Sequence, residues 1–129
     1  MPTQRREFGN LGEKLAYKFL KSNGLLILEI NYQKKVGEID IIAKSDKIIH
    51  FIEVKTRTKI SSEKYGLPQE AVSFYKKKKL IRTALFYLAE QKFADDTNWQ
   101  IDVIAIIIDK SKNKAKINYI KNAVSYDSL

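Results

Sequence analysis

The hydrophobic periods of the chain predict an α/β fold: a mixed five-stranded sheet flanked by helices, in the order α-β-β-β-α-β-β. Three observations carry this expectation. Apolar residues recur at helical spacing in two separate stretches. Five runs rich in β-branched residues lie between and after those stretches. The third and fourth runs are separated by a segment long enough for a helical crossover, which two parallel neighbours require.

Helix one spans Gly9 to Ser22, where Leu11, Leu15 and Phe19, with Phe8 beside them, mark a stripe and Asn23-Gly24 supplies a stop. The aliphatic stretch Leu25 to Tyr32 reads as the first strand, ending at the polar Gln33-Lys34-Lys35 before Gly37. Glu38 to Ala43 and Ile48 to Lys55 are the next two strands, joined by the hairpin loop Lys44-Ser45-Asp46-Lys47. Thr56 to Pro68 has no period and carries Ser61, Ser62, Gly66 and Pro68, which predicts a loop. Helix two lies between Phe74 and Phe93. Phe74, Ile81, Ala84, Leu85 and Leu88 share one of its faces, with Lys76-Lys77-Lys78-Lys79 mostly on the others. Asp95-Asp96-Thr97-Asn98 breaks it. Gln100 to Ile108 then reads as a buried strand, and Ala115 to Ile120 as a shorter one. With no internal repeat and no separating linker, residues 1–129 are expected to form a single domain with short flexible ends at about 1–7 and 122–129.

Composition narrows the function. Lys and Arg number 24 against 15 Asp and Glu, and the resulting formal charge of +9 favours phosphate-rich or anionic partners. Hydrophobic residues at 44% with only five Gly and two Pro exclude a disordered or low-complexity chain. The absence of cysteine excludes disulfides, thiolate zinc sites and cysteine nucleophiles, and the single His50 excludes any two-histidine site. No apolar run approaches a membrane span, and Met1 to Glu7 lacks a following hydrophobic signal region, so a cytoplasmic protein with no membrane partner is expected.

The chemistry lies in the predicted hairpin. Paired across the four-residue loop, Ala43 faces Ile48, Glu38 faces Glu53, and Asp40 is diagonal to Glu53. The two-residue period then brings Glu38, Asp40, Glu53 and Lys55 out on one face with Phe51. Both strands are otherwise apolar on both sides, Ile39, Ile41, Ile52 and Val54 on one and Ile42, Ile49 and Phe51 on the other, which is the pattern of central strands. Burying carboxylates there costs several kcal/mol per ion unless each is paired or bound to a cation. A hard divalent ion, Mg²⁺ or Mn²⁺, resolves the conflict, because it accepts one or two carboxylates and leaves positions for water and phosphate oxygens. Lys55 could orient a water or neutralise charge on a phosphate. The plain alternative is a solvated cross-strand salt bridge; the apolar framing and the aligned Asp40 favour a phosphodiesterase-type metal site.

At these residues the sequence resembles the PD-(D/E)XK nuclease superfamily. It resembles more closely the small bacterial YraN family of endonuclease-like proteins, whose members look like archaeal Holliday-junction resolvases. The resemblance rests on Gly9-Asn10-Leu11-Gly12-Glu13, on Gly37-Glu38-Ile39-Asp40-Ile41-Ile42-Ala43 and on Phe51-Ile52-Glu53-Val54-Lys55-Thr56-Arg57. Glu70-Ala71-Val72 followed by Lys76, and Ile101-Asp102-Val103, extend it over about Gly9 to Ala123. It implies a restriction-endonuclease-like core in which Asp40 and Glu53 hold Mg²⁺, Lys55 assists hydrolysis, and Glu13 is an additional or outer ligand. The superfamily's Pro before the Asp is replaced by Ile39.

Lys76 to Lys79 and Arg82, with Arg57, Lys59 and Lys64, form the densest basic cluster, suited to phosphate contacts that position a backbone. Arg57, Lys76, Lys77 and Lys79 are the expected nucleic-acid contacts, Lys76 first, and Gln69 is a candidate to orient a metal-bound water. His50 shares the strand face of Ile52 and Val54, away from the acids, and is expected to pack structurally. Asp102 is a second buried acid, expected to pair with a base or support the site. The leading expectation is a metal-dependent endonuclease acting on DNA, branched or damaged forms included. A homodimer would be needed to cut both strands. The alternatives are a nucleic-acid-binding module that keeps the fold without turnover, and an adaptor for an acidic protein.

Overall fold

Burial sorts the apolar residues into two cores on opposite faces of one sheet. The computed structural model of the chain describes residues 4–59 and 74–124. Its elements follow the expected order: α1 (Gln4–Ser22), β1 (Leu26–Lys34), β2 (Gly37–Ser45), β3 (Ile48–Thr58), α2 (Phe74–Glu90), β4 (Asn98–Asp109) and β5 (Lys114–Val124). The strands lie side by side in chain order. β3 and β4, which flank the α2 connection, are parallel, and the other neighbours are antiparallel. This is the predicted mixed five-stranded sheet with two helices, consistent with a nuclease-like core. Among the described residues no helix is long and apolar enough to cross a membrane.

α2 covers a core of Tyr32, Ile39, Ile42, Ile49, Phe51, Ile101 and Val103 with its own Leu80, Ile81, Ala84 and Tyr87. α1 covers the other face, where Ala16 and Leu20 meet Ile41, Ala43, Ile52, Ile104 and Ile106. Leu15 and Phe19 on α1 and Ile81, Ala84 and Leu88 on α2 pack on the sheet as their period predicts, but the centre of each stripe is shifted. On α1 the line closest to the sheet is Gly12, Ala16 and Leu20, whereas Leu11 is exposed. A hydrophobic scan passes over small residues, yet they let the helix approach: a methyl on Gly12 would collide with the Thr56 hydroxyl on β3. On α2 Leu85 is exposed while Leu80 and Tyr87 are buried. The Tyr87 ring stacks edge-on against Tyr32 at 5.2 Å and Phe51 at 5.7 Å between centroids, so aromatic packing sets the helix rotation.

α1 stops where expected. The Asn23 side chain donates to the Phe19 carbonyl at 2.7 Å, the Leu25 amide donates to the Leu20 carbonyl, and Gly24 takes φ 84°. β5 is longer than predicted and includes residues 122–124, expected among the ends, through the pair Ile101↔Val124.

The β2–β3 hairpin corrects the predicted register. The turn is two residues, Asp46-Lys47, with Ser45 opposite Ile48 and Ala43 opposite His50. Asp46 adopts φ 48°, a conformation Asp tolerates because its short polar side chain can bond locally. The tighter turn slides the strands by two residues, which preserves the faces but removes Glu38 from opposite Glu53. Glu38 instead faces Gln33 on β1.

Gly12→Ala should therefore lower stability by about 1 to 3 kcal/mol, the usual cost of forcing a methyl into a filled contact. Adding Thr56→Ala, which removes the colliding hydroxyl, should recover most of the loss in a double-mutant cycle read by thermal unfolding.

Candidate functional site

The sheet divides at Asp40. β2 pairs with β3 from Ser45↔Ile48 to Ile41↔Ile52. Beyond that point β2 continues with β1 alone, down to Lys34↔Gly37, and β3 continues with β4 alone, out to Thr58↔Ile108. At the fork the alternation of β2 breaks. Ile39 packs with Ile42 on the α2 side rather than with Ile41, contrary to the face predicted for it. The Asp40 carboxylate takes over from the ladder and accepts the Val54 amide at 2.8 Å.

Glu53 stands beside this fork on β3 and is 5% exposed. Two ammonium groups meet its Oε1: Lys76 Nζ at 2.5 Å, reaching down from the start of α2, and Lys55 Nζ at 3.4 Å on the same strand. Three predicted residues, Asp40, Glu53 and Lys55, are thus brought together. Lys76 joins them as a partner of the buried acid, not only as a phosphate contact.

The charges respond to this crowding. Burial first, then the neighbouring Glu53, pushes the Asp40 carboxyl up to about 7 against the pull of the Val54 amide. Burial lowers the Lys55 pKa, against the pull of Glu53 and with help from Lys76. Burial opposes the Lys76 charge too, but its hydrogen bond and attraction to Glu53 win, and its pKa is raised. One carboxylate therefore holds one ammonium firmly and a second that gives up its proton more readily.

Glu13 stands at the margin. Its carboxyl is raised by partial burial, opposed by a hydrogen bond from Asn31, and raised further by the charges of Glu38 and Glu53. Asn31, at φ 52° inside β1, is a neighbour of the site that the sequence reading missed. Its position in the left-handed region of a strand becomes evident only from the fold. Glu38 is exposed and accepts a long hydrogen bond from Gln33. Arg57 is exposed and donates to the Thr56 carbonyl. Lys77 is half-buried and Lys79 exposed on α2, while Gln69 and Lys64 lie outside the described residues.

The donor set suits a hard cation. A buried and a half-buried carboxylate, one of them raised toward neutral pH by burial and then by its neighbour, would be relieved by a divalent ion, and oxygen ligands are what Mg²⁺ takes. Among the described residues no three His, Cys, Asp or Glu side chains converge into a ready-made cage. Asp40 and Glu53 are the residues that would hold such an ion, with Glu13 farther out.

Asp102 and His50 belong elsewhere. They lie on the α1 face, where His50 donates from Nδ1 to Asp102 Oδ2 at 2.7 Å and its Nε2 meets the Ser45 hydroxyl at 2.6 Å. Asp102 also accepts from Tyr119 at 2.5 Å, Gln100 at 2.8 Å and the Asn122 amide at 2.7 Å. Burial would raise its pKa, but the bonds from His50, Tyr119, Asn122 and Gln100 hold it below the ordinary value. The buried acid is thus paired with a base, as expected, and it pins β3, β4 and β5 together at the β4–β5 irregularity.

The sequence profile described as "Uncharacterised protein family UPF0102" matches residues 12–106, which include Glu13, Asp40, Glu53, Lys55 and Asp102. The chain belongs to this family. It is 44% identical over 118 residues to a UPF0102 protein of Caldicellulosiruptor bescii, covering 92% of this chain and 97% of that protein. It is 40% identical to UPF0102 proteins of Clostridium botulinum, covering 92% and 94% respectively.

Two stability predictions follow from the electrostatics of this UPF0102 chain. A raised Asp40 pKa means that the fold binds a proton the unfolded chain releases between about pH 4 and pH 7, so this group costs stability as pH rises through that window. Asp40→Asn keeps an acceptor for the Val54 amide and removes the charge. In chelator it should raise the melting temperature at pH 8 by several degrees, on the order of 1 to 2 kcal/mol, and change it little at pH 4. Asp102→Asn should do the reverse and cost about 2 to 4 kcal/mol at neutral pH, because an amide NH₂ would confront groups that already donate.

Proposed function

We propose that this protein is a metal-dependent endonuclease that hydrolyses DNA phosphodiester bonds, branched or damaged DNA included. The observation that carries the reading is the convergence of Asp40, Glu53 and Lys55 at the fork between β2 and β3, under the lysine-bearing start of α2. Isolated acids are common on strands, but two carboxylates and a lysine gathered where a sheet opens are suited to phosphoryl chemistry. The resemblance to PD-(D/E)XK nucleases and the YraN family supports the same assignment, since Asp40, Glu53 and Lys55 are the positions that match their motif.

In this reading Asp40 and Glu53 would hold Mg²⁺ or Mn²⁺, which when bound would supply Lewis acidity toward a phosphate oxygen and acidify the attacking water. Lys55, the ammonium whose proton is less tightly held, orients the attacking water or neutralises charge as the phosphate becomes crowded. Lys76 keeps Glu53 from facing Asp40 uncompensated. Arg57, Lys77 and Lys79 meet backbone phosphates without reading sequence. The described residues of a chain carry one such site, so cutting both strands of a junction calls for a homodimer.

A second reading has its own support. Glu53 is already satisfied by two ammonium groups, which suits a module that binds nucleic acid without turnover. Labelled linear, nicked and four-way-junction DNA incubated with Mg²⁺, Mn²⁺ or chelator separates the two. Hydrolysis predicts cleavage that stops in chelator and falls by about 100-fold or more in Asp40→Asn, Glu53→Gln and Lys55→Ala. Tight, salt-sensitive binding with no cleavage of any substrate would establish the binding module. Equal cutting by wild type and variants would sink the assignment of these residues.

A further inference from the structure

A concave basic cavity of about 620 Å³ adjoins the carboxylate pair. It is lined by the β1–β2 turn (Gln33, Lys34, Lys35, Gly37 and Glu38) and the start of α2 (Tyr75, Lys76, Lys79 and Leu80). Lys76 is common to both places, since it walls the cavity and its ammonium touches Glu53. The two elements can approach this closely because Gly37 has no side chain. A methyl there would strike the Thr83 hydroxyl and crowd Lys79.

The lining divides by task. Lys34 is committed to Glu90 at 3.3 Å and Lys76 to Glu53, while Lys35 and Lys79 are exposed at the rim. Tyr75 leaves 82% of its surface exposed, the largest exposure among the exposed large hydrophobic side chains of the described residues. Keeping an aromatic ring in water forfeits the burial that such rings ordinarily gain. An exposed ring lining a lysine-rich hollow is the arrangement on which proteins stack unpaired bases. A continuous duplex offers only a convex backbone to such a hollow, with its bases stacked inside. A single-stranded nucleotide can enter with its base against the ring and its phosphate on the lysines.

We propose that this cavity is a subsite for an unpaired DNA nucleotide flanking the scissile phosphate, with the base against Tyr75 and the adjoining phosphate on Lys35 and Lys79. It rests on the endonuclease reading for its position and names the substrate class: DNA with a single-stranded extension, gap or flap beside the cut.

The test is fluorescence anisotropy in chelator at fixed salt, comparing a blunt duplex with a duplex of equal phosphate number that ends in a single-stranded tail. Wild type should bind the tailed DNA about ten-fold more tightly, the effect of one stacked base. Tyr75→Ala should bring that ratio close to one, and Tyr75→Phe should restore it. Lys35→Ala with Lys79→Ala should weaken tailed DNA and reduce the salt slope by about one to two. Melting curves will register any loss of folding in these surface variants. A ratio near one for wild type, an unchanged ratio in Tyr75→Ala, or failure of Tyr75→Phe to restore it would overturn the subsite. Because binding is read without hydrolysis, the two readings fail separately. Preference without cleavage in Mg²⁺ removes the endonuclease and leaves the subsite, whereas cleavage indifferent to Tyr75 removes the subsite and leaves the endonuclease.

Discussion

The Val54 amide to Asp40 carboxylate bond is the interaction on which the rest of the site depends. Where β2 and β3 part, a strand amide would otherwise lose its partner in a half-buried place, at a cost comparable to any unmade buried hydrogen bond. A carboxylate satisfies it and in doing so is fixed at the fork. That single substitution of side chain for ladder explains several features together. It accounts for the break in alternation between Ile39 and Ile41 and for the position of Asp40 near Glu53. It also accounts for the crowding that raises the Asp40 pKa.

The remainder of the fold manages the electrostatic consequence. Glu53 is nearly inaccessible and would be untenable alone; Lys76 and Lys55 make it tolerable. The start of α2 carries lysines where the helix dipole disfavours cations, and Glu53 offsets that for Lys76. The other buried acid, Asp102, shows the contrasting solution. Four donors satisfy it completely, it holds three strands together, and no chemistry is required of it. Asp102 has its charge secured by hydrogen bonds, whereas the charge of Asp40 is penalised first by burial and then by a neighbour of like sign. A carboxylate so penalised is what makes this place the candidate site.

Much of this was legible in the residues. Strand and helix order followed from periodicity, because β-branched runs and helical stripes are local signals. Asp40, Glu53 and Lys55 stood out because charge between apolar neighbours conflicts with burial. The hairpin register was misread because Lys44 and Ser45 look like loop residues, while Asp46 absorbs the left-handed turn by itself and lets both of them pair. Leu11 and Leu85 were misplaced on their helices for a related reason. Gly12 and Ala16 approach the sheet by being small, and Tyr87 is fixed by aromatic partners distant in sequence.

By itself the sequence determined the class of fold, the basic character and the three residues that converge, since each follows from local pattern and from the cost of burying charge. Only the tertiary structure decided that β2 and β3 fork at Asp40, that Lys76 reaches Glu53, and that Tyr75 stands over a cavity beside them. Those features depend on how far one strand follows its neighbour and on where a helix settles on the sheet. Both are set by packing between residues far apart in the chain, which no local spacing records.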